Sequence, residues 1–538
     1  MRIYLILVFI FPALLSAAWF DYLPTEVTEP DGSILQLFAS GDEFANHLHD
    51  QDGFSIIAHE ENGYHYYAEL KAGLPRASQY RVGSVDPNTL GFRPHINVSD
   101  EEYRRRADLA NTRSAPNAAS EYRAGLCNIN IFLRFYDQTE FEEPRSFYND
   151  RFSAPYPEAS VASYFAQTSY GNMNIHTYSY PLCDPDTNLS YQDTHPRAYY
   201  LVYNAATNPI GYEDQDEGYS RLHQLLYNAL NYVIPQISTE INLDMNGDGR
   251  VDNVSFIARG PHAAWAQPLW AHSSSMVNIS INGVTVNRYT FQPQPQSSIR
   301  TLTHEMYHVV GAPDLYHYTF DGISPVGAWD LMETGTGHMG AHMKRKYGGW
   351  IPDIPVLTTP GTYTLLPISN PTNNCYRINI PGDNYNYFVL EYRQKDSDIF
   401  EENIPGTGLL VYRIRHGAYG NDSGAQYGSY DEVYIYRPDG SQEINGRIAS
   451  APFNAIDTGD AINAFTNPNC WLPYGGVANL NIHSIQLHEN SVSFFYDPSP
   501  TQIPPDVSIT DPVANTFVHN GPILLSAEAF TPMAISNL

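Results

Sequence analysis

The chain has 538 residues, too many for one ordinary hydrophobic core, so several domains are expected. Its 29 Lys and Arg stand against 58 Asp and Glu, a net charge of −29 that repels phosphate backbones and anionic membranes and excludes nucleic acid as a partner. Charged residues make up 16%, below the about 25% of ordinary soluble domains, while 41 Tyr and 39 Pro favour strand and loop over long charged helices.

The first 18 residues combine a basic start at Arg2, an apolar run over 3–15 and the small residues Ser16-Ala17-Ala18. That pattern predicts a signal peptide and a secreted or cell-surface protein. The run falls short of the roughly 20 residues of a membrane span, and no later segment is long and apolar enough, so no stable membrane insertion is expected. Four cysteines, Cys127, Cys183, Cys375 and Cys470, are an even number in an exported chain and permit two disulfides. Proximity in the chain favours Cys127 with Cys183 and Cys375 with Cys470. None has C-x-x-C spacing, which argues against a thiolate zinc site.

Residues 19–124 are polar, with short aromatic runs such as Tyr64-His65-Tyr66-Tyr67. They predict a small β-containing module followed by an exposed linker. The stretch Glu101-Glu102-Tyr103-Arg104-Arg105-Arg106 reads equally as a processing site or a solvated helix face. Over 128–135 the pattern becomes a buried strand, with Ile129, Ile131, Leu133 and Phe135 on one face. A helix is expected over 219–234, where Leu222, Leu225, Leu226, Leu230 and Val233 recur at helical spacing, and a strand over 254–258. Ser297 and Ser298 cap a helix running to about Val310, and Gly311 stops it. Residues 125–352 are therefore expected to be an α/β (α+β) domain.

Ahead of the strand at Val254, Asp244, Asn246 and Asp248 place oxygen side chains at alternate positions, with Gly249 at the turn. This is the opening of an EF-hand-like loop. Asp244, Asn246, Asp248, the Arg250 carbonyl and Asp252 supply most of the six to eight oxygens that calcium takes. Ser255 stands where the usual twelfth-position acid would be, and Asp252 at the ninth position takes its place. The bland alternative is a metal-free Asp/Gly turn.

Beyond Trp350 helical periodicity disappears, and short strands separated by Pro, Gly, Asn and Asp predict a β-sandwich over 353–498. Residues 498–505 form a Pro-rich stiff linker. The stretch 507–538 has room for two or three strands, fewer than a sandwich of about 100 residues needs, so 499–538 reads as linker plus an incomplete Ig-like β segment.

The chemistry concentrates at His304-Glu305-Met306-Tyr307-His308-Val309-Val310-Gly311-Ala312-Pro313-Asp314. Residues four apart share a helix face, so His304 and His308 can offer two imidazole nitrogens to one zinc ion. Glu305 follows the first ligand and can act as general base on an attacking water. Gly311 lets the chain turn back and deliver Asp314 as third ligand. Three protein ligands leave a fourth position open, the arrangement of a catalytic zinc site.

At these residues the chain resembles metzincin-like zinc peptidases, and within them the immune inhibitor A family of secreted metallopeptidases, whose pattern is H-E-x-x-H-x-x-G-x-x-D. Gly327-Ala-Trp-Asp-Leu-Met332 resembles that family's Met-turn, and 342–350 its helix ending in Gly-Trp. Residues 388–394 with 405–410 are similar to a segment of its following β-domain, and 30–32 with 52–56 to its pro-region. The resemblance implies a pro-region over 19–124 and a metzincin-like catalytic domain. It makes Met332 a packing residue beneath the metal, not a ligand. It also suggests a further transition-state donor, for which His338, His342 and Tyr347 are candidates; His262, His272 and His317, which the family's pattern does not place, are expected to serve structure or solvent. The module over 19–124 has no cysteine, so latency must use a carboxylate (Asp42, Glu43, Asp50 and Glu60 are open), a histidine or occlusion. The function expected is a secreted zinc endopeptidase acting on proteins or peptides, with calcium as a second ion. The rival is a cell-surface adhesin-type binding protein with an inactive peptidase domain, against which the intact His304, Glu305, His308 and Asp314 argue.

Overall fold

The computed structural model describes residues 20–42, 45–99, 101–103, 125–261, 269–276, 279–318, 321–421, 431–456, 458–499, 506–511 and 526–530. The expected signal peptide, the Arg104-Arg105-Arg106 run with its linker, Glu43, His262 and most of the Pro-rich linker lie outside the described residues.

The amino-terminal module is an antiparallel meander of β1 (Phe20–Thr28), β2 (Ile34–Gly41), β3 (Asn46–His49), β4 (Ser55–Ala58), β5 (His65–Lys71) and β6 (Leu74–Arg81), paired in chain order. Short turns suffice because antiparallel neighbours need no crossover. Leu23, Leu37, Ala39, Leu48, Phe54, Ile56 and Tyr67 form its core, and Trp270 from the next region inserts among them.

The next region contains β7 (Leu126–Arg134), β8 (Ile175–Tyr180), β9 (Tyr191–Gln192), β10 (Arg250–Val251), β11 (Asn253–Ala258), β12 (His272–Ser275), β13 (Ser280–Ile281), β14 (Val284–Val286) and β15 (Arg288–Pro293). Its main sheet has the order β12-β15-β11-β7-β8, with β9 extending β7. β8, β7, β11 and β15 are mutually parallel and β12 is an antiparallel edge. Parallel neighbours require crossovers, and helices supply those from β7 to β8 and from β8 to β11. α1 (Arg145–Ser153) and α2 (Val161–Thr168) lie between β7 and β8, and α3 (Gln215–Val233) between β8 and β11. The alternation read in the sequence has a physical counterpart: Ile129, Ile131, Leu133 and Phe135 pack with Leu222, Leu225, Leu226, Leu230 and Val233 of α3. Each such fully buried side chain contributes about 1.5–3 kcal/mol. Leu126 and Phe132 point to the opposite layer, where they share a core with Phe165 and with Leu302 and Met306 of α4 (Ile299–Val310).

After α5 (Ala341–Lys346) come two sheets. β16 (Gly361–Leu365) pairs with β22 (Ser491–Tyr496), which pairs with β21 (Ile482–His488). β17 (Cys375–Asn379), β18 (Asn386–Arg393), β19 (Gly408–Arg415) and β20 (Val433–Ile435) form the other. The two sheets share a core that includes Leu365, Phe494 and Ile482 on one side and Phe388, Leu390 and Val411 on the other. The opposite face of the second sheet, through Val389, Leu410, Ile414 and Val433, joins the core around α4. Every residue of β18 is buried, as expected of a strand covered on both faces. A hairpin of β23 (Asp506–Asp511) and β24 (Ser526–Phe530) ends the described chain.

The four cysteines are free, so neither disulfide favoured by proximity forms. Cys127, Cys375 and Cys470 sit in three different hydrophobic cores, where each serves as a small apolar group. Burial pushes the Cys127 and Cys375 thiols up to about 12. Among the described residues no helix is long and apolar enough to cross a membrane.

Candidate metal centre

The site is built on α4. The Ser298 side chain accepts from the Thr301 N–H and caps the helix. Gly311 ends it at φ 110°, a left-handed conformation that strains any residue with a Cβ. Residues 300–310 are all buried, His304 and Glu305 completely. After Gly311 the chain reverses and brings Asp314 back to the helix. His304 Nε2 lies 3.1 Å from Asp314 Oδ1, His308 Nε2 lies 3.2 Å from the same oxygen, and the two Nε2 atoms are 3.1 Å apart.

The donor set tests whether a metal fits. His304 Nδ1 faces the Leu331 carbonyl at 3.0 Å, and His308 Nδ1 faces the Ala312 carbonyl at 2.8 Å. A carbonyl only accepts, so both Nδ1 atoms carry protons and each neutral ring turns a bare Nε2 lone pair inward. Burial lowers the proton affinity of His304, with Asp314 opposing. Burial would raise the Asp314 carboxyl, and protons on the facing His308 and His304 would pull it the other way. Two lone pairs and a carboxylate oxygen thus converge in a buried space, an arrangement that a cation relieves. Tetrahedral zinc with bonds of about 2.0–2.1 Å separates its ligands by about 3.3–3.4 Å, close to the observed triangle. Among the described residues, His304, His308 and Asp314 are the group of His, Cys, Asp or Glu whose ligand atoms lie within 4.8 Å of one another.

Outer partners fix these ligands, and most of them carry no signal in the sequence. Tyr318 donates its hydroxyl to Asp314 Oδ2 at 2.6 Å, leaving Oδ1 turned to the histidines. Asn421 N–H donates to the Asp314 carbonyl at 3.1 Å, and its side chain donates to the Leu315 carbonyl at 2.8 Å. Gly420 presses on this turn so closely that a Cβ there would sit 2.8 Å from the Asp314 carbonyl oxygen. The turn over 327–332 supplies the Leu331 carbonyl that orients His304. Met332 N–H donates to Asp330 at 2.9 Å, and its carbonyl accepts from Leu315 at 2.9 Å. The Met332 side chain is fully buried and shares a core with Met306 and Leu315. Buried Arg393 fastens this turn to the β-region, donating to the Trp329 carbonyl at 2.6 Å and to Glu401 through Nε and Nη2 at 2.9 and 2.6 Å.

The residues suggested as an extra donor are engaged elsewhere. His338 bonds Asp398 at 2.8 Å and Lys344 at 2.9 Å. His342 and Tyr347 both bond Glu432, each at 2.7 Å. These buried networks join α5 to the β-region, and none of these bonds runs to the triad. His272 faces the Trp270 carbonyl at 2.8 Å. His317 lies between Asp321 and Asp431, 2.6 Å from each.

In the 244–252 loop, Asp244 accepts backbone N–H groups from Gly247, Asp248 and Gly249 at 2.7–2.9 Å. Asn246 accepts from Asp248 and Asp248 from Arg250, at 2.9 and 2.8 Å. Asp252 Oδ2 accepts from Cys127 and Met245 at 2.8 and 3.1 Å, while its buried Oδ1 has no partner among the described residues. Burial pushes this carboxyl up to about 6. The loop's carboxylates do not converge to the 4.8 Å spacing of the triad.

Of the carboxylates considered for latency, Asp42 is buried and accepts from the Tyr103 hydroxyl and from Ala45 N–H. Asp50 closes its own turn, accepting from Asp52 and Phe54, and Glu60 pairs with Arg76 at the surface. The module meets the Asp314 segment directly: Ala45, Val98 and Tyr103 pack with Tyr316 and Tyr318, the Tyr103 and Tyr318 rings 5.3 Å apart.

No protein-family model matches the chain, and no curated protein matches it in sequence. Among solved structures it is similar to metalloproteinase-II from Bacteroides fragilis, at 12% identity and a TM-score of 0.22, over 61% of this chain and 85% of that one. Similarity at that level carries no activity across, and the chemistry is read from the chain's own residues.

Proposed function

We propose that the chain is a secreted zinc endopeptidase of the immune inhibitor A type, acting on extracellular proteins or peptides. The observation that carries this reading is the convergence of the His304 and His308 Nε2 atoms with the Asp314 carboxylate at the buried helix that also carries Glu305. His304, His308 and Asp314 would hold the ion. When bound, zinc supplies Lewis acidity toward the scissile carbonyl. Glu305 takes the proton from the attacking water and returns it to the leaving nitrogen. The Leu331 and Ala312 carbonyls keep both imidazoles in the tautomer this requires.

The test compares wild type with Glu305→Ala for zinc content and for cleavage of a casein substrate. The variant is expected to keep about one zinc per chain and lose several orders of magnitude in turnover. Comparable turnover in a folded Glu305→Ala protein sinks the mechanism. Retained fold without zinc in wild type sinks the metal assignment.

Two further parts belong to this reading. The module over 19–124 is an inhibitory pro-region, supported by its packing on Tyr316 and Tyr318 beside the third ligand. Cleavage between about Arg104 and Gly125 would release it; full activity of the uncleaved chain on a protein substrate rejects that role. The 244–252 loop is a calcium site, supported by its alternating oxygens and the buried Asp252 Oδ1, which has no hydrogen-bond partner among the described residues.

A further inference from the structure

Trp270 belongs by chain to the region that carries the triad, yet its side chain lies in the core of the amino-terminal module. It is fully buried and shares that core with Leu37, Leu48, Phe54, Ile56 and Tyr67. Its backbone is fixed on the other side. The Trp270 carbonyl accepts from His272 Nδ1 at 2.8 Å. The Ala271 N–H donates to Oε1 of the buried Gln296 at 2.8 Å, two residues ahead of the Ser298 cap of α4. β12, which starts at His272, pairs with β15 and lies beside α4. The backbone of Trp270 is thus tied to the frame of the metal helix, while its ring completes the core of the module.

The module's second attachment is at the third ligand. Ala45, Val98 and Tyr103 share a core with Tyr316 and Tyr318, and Tyr318 in turn bonds Asp314 Oδ2. One short strand joins the two attachments. Ala45 immediately precedes β3, and Leu48 lies within it, about 10 Å further along an extended chain. The backbone that presents Ala45 is held in place. Asp42 accepts from the Ala45 N–H at 2.8 Å and from the Tyr103 hydroxyl, and the Asn97 side chain donates to the Ala45 carbonyl at 2.9 Å. β3 therefore links the segment behind Asp314 to the sheet edge beside α4. The module cannot leave the one without drawing its core off Trp270 at the other.

We infer that Trp270 is the latch of this module: it holds the module across the metal centre and makes it, once cut from the chain, an inhibitor that dissociates by mass action. The inference rests on reading residues 19–124 as a pro-region. A large aromatic side chain desolvated at the middle of an interface carries much of the binding. Truncating such a buried Trp to Ala weakens the contact by about two to three orders of magnitude. After cleavage, release of the module is then set by its concentration and by how readily its core gives up the Trp270 indole.

The test uses the full chain carrying Glu305→Ala, so that it does not digest itself, cut once by trypsin between about Arg104 and Gly125. Amino-terminal sequencing confirms the single cut. The cut protein is diluted stepwise, and size-exclusion chromatography reads the fraction of module still bound. With Trp270 intact, the module is expected to co-elute and to leave on dilution with a measurable Kd. Trp270→Ala should raise that Kd about a hundredfold or more. Trp270→Phe keeps a ring in the core and should raise it less; if the alanine variant fails to fold, the phenylalanine variant still decides. An equal Kd with and without Trp270, or a module that elutes apart at every concentration, overturns the inference. None of these readouts needs catalysis, so failure of the peptidase reading shows separately, as absent casein cleavage by the freed chain with Glu305 intact.

Discussion

Replacing Tyr318 by Phe removes one hydroxyl from a place where it does defined work. That hydroxyl donates to Asp314 Oδ2 at 2.6 Å, with both residues buried. A hydrogen bond to a charged group nets about 1.5–3 kcal/mol. At about 1.4 kcal/mol per tenfold, losing all of it would cost roughly 10- to 100-fold in an equilibrium constant. The bond is already made without an ion, so its contribution to zinc affinity is the preorganisation of Oδ1 toward the two Nε2 atoms. Outer partners of metal ligands typically change affinity by about 10- to 100-fold, the same range. Tyr318→Phe should therefore bind zinc about ten- to a hundredfold more weakly, with unchanged far-ultraviolet dichroism. The assay is competition against a chromophoric chelator. An unchanged zinc Kd in the folded variant would show that Asp314 needs no second anchor and would refute the reasoning.

Asp314→Ala should lose zinc by elemental analysis, whereas Asp314→His should retain it, because imidazole is also a good zinc ligand; equal zinc content in wild type and the alanine variant removes Asp314 from the site. His317, whose protonated form is held by Asp431 and Asp321 against burial up to about 10, gives a pH dependence. A raised value confers stability that is complete below the unfolded value of about 6.5 and disappears as pH rises through about 10. The Tm of wild type should fall more steeply than that of His317→Gln across that window, and parallel curves would show that the pair contributes nothing. Calcium, added with zinc held constant, should raise the Tm of wild type more than that of Asp248→Ala, since an ion that binds only the native state stabilises it by mass action. Identical responses would reject the 244–252 loop as a calcium site.

What the sequence determined by itself was local. The 3.6-residue period placed His304 and His308 on one face, Ser298 and Gly311 set the ends of their helix, and alternation over 129–135 marked a strand against α3. These follow from short-range geometry and from patterns that the backbone repeats. The loop that returns Asp314 was legible only as a spacing. That its Oδ1 meets both imidazoles depends on Tyr318, Asn421 and the close approach of Gly420, which come from other parts of the chain.

Tertiary structure alone decided the rest. The Leu331 and Ala312 carbonyls that select the histidine tautomers are backbone groups, and no side-chain pattern announces them. His338, His342 and Tyr347 have the chemistry of catalytic donors, but the fold commits them to Asp398 and Glu432, residues 60 to 90 positions away. The cysteines looked paired by proximity in the chain, yet three of them were drawn into separate apolar cores. Chain distance says little about spatial distance once sheets bring remote strands together. Arg413 reads in sequence as one more charge on a strand, and only packing shows that it is buried beside Tyr434 and Trp471. Local periodicity is set by backbone geometry, whereas the partners of a buried polar group are set by which distant segments the hydrophobic cores bring to it.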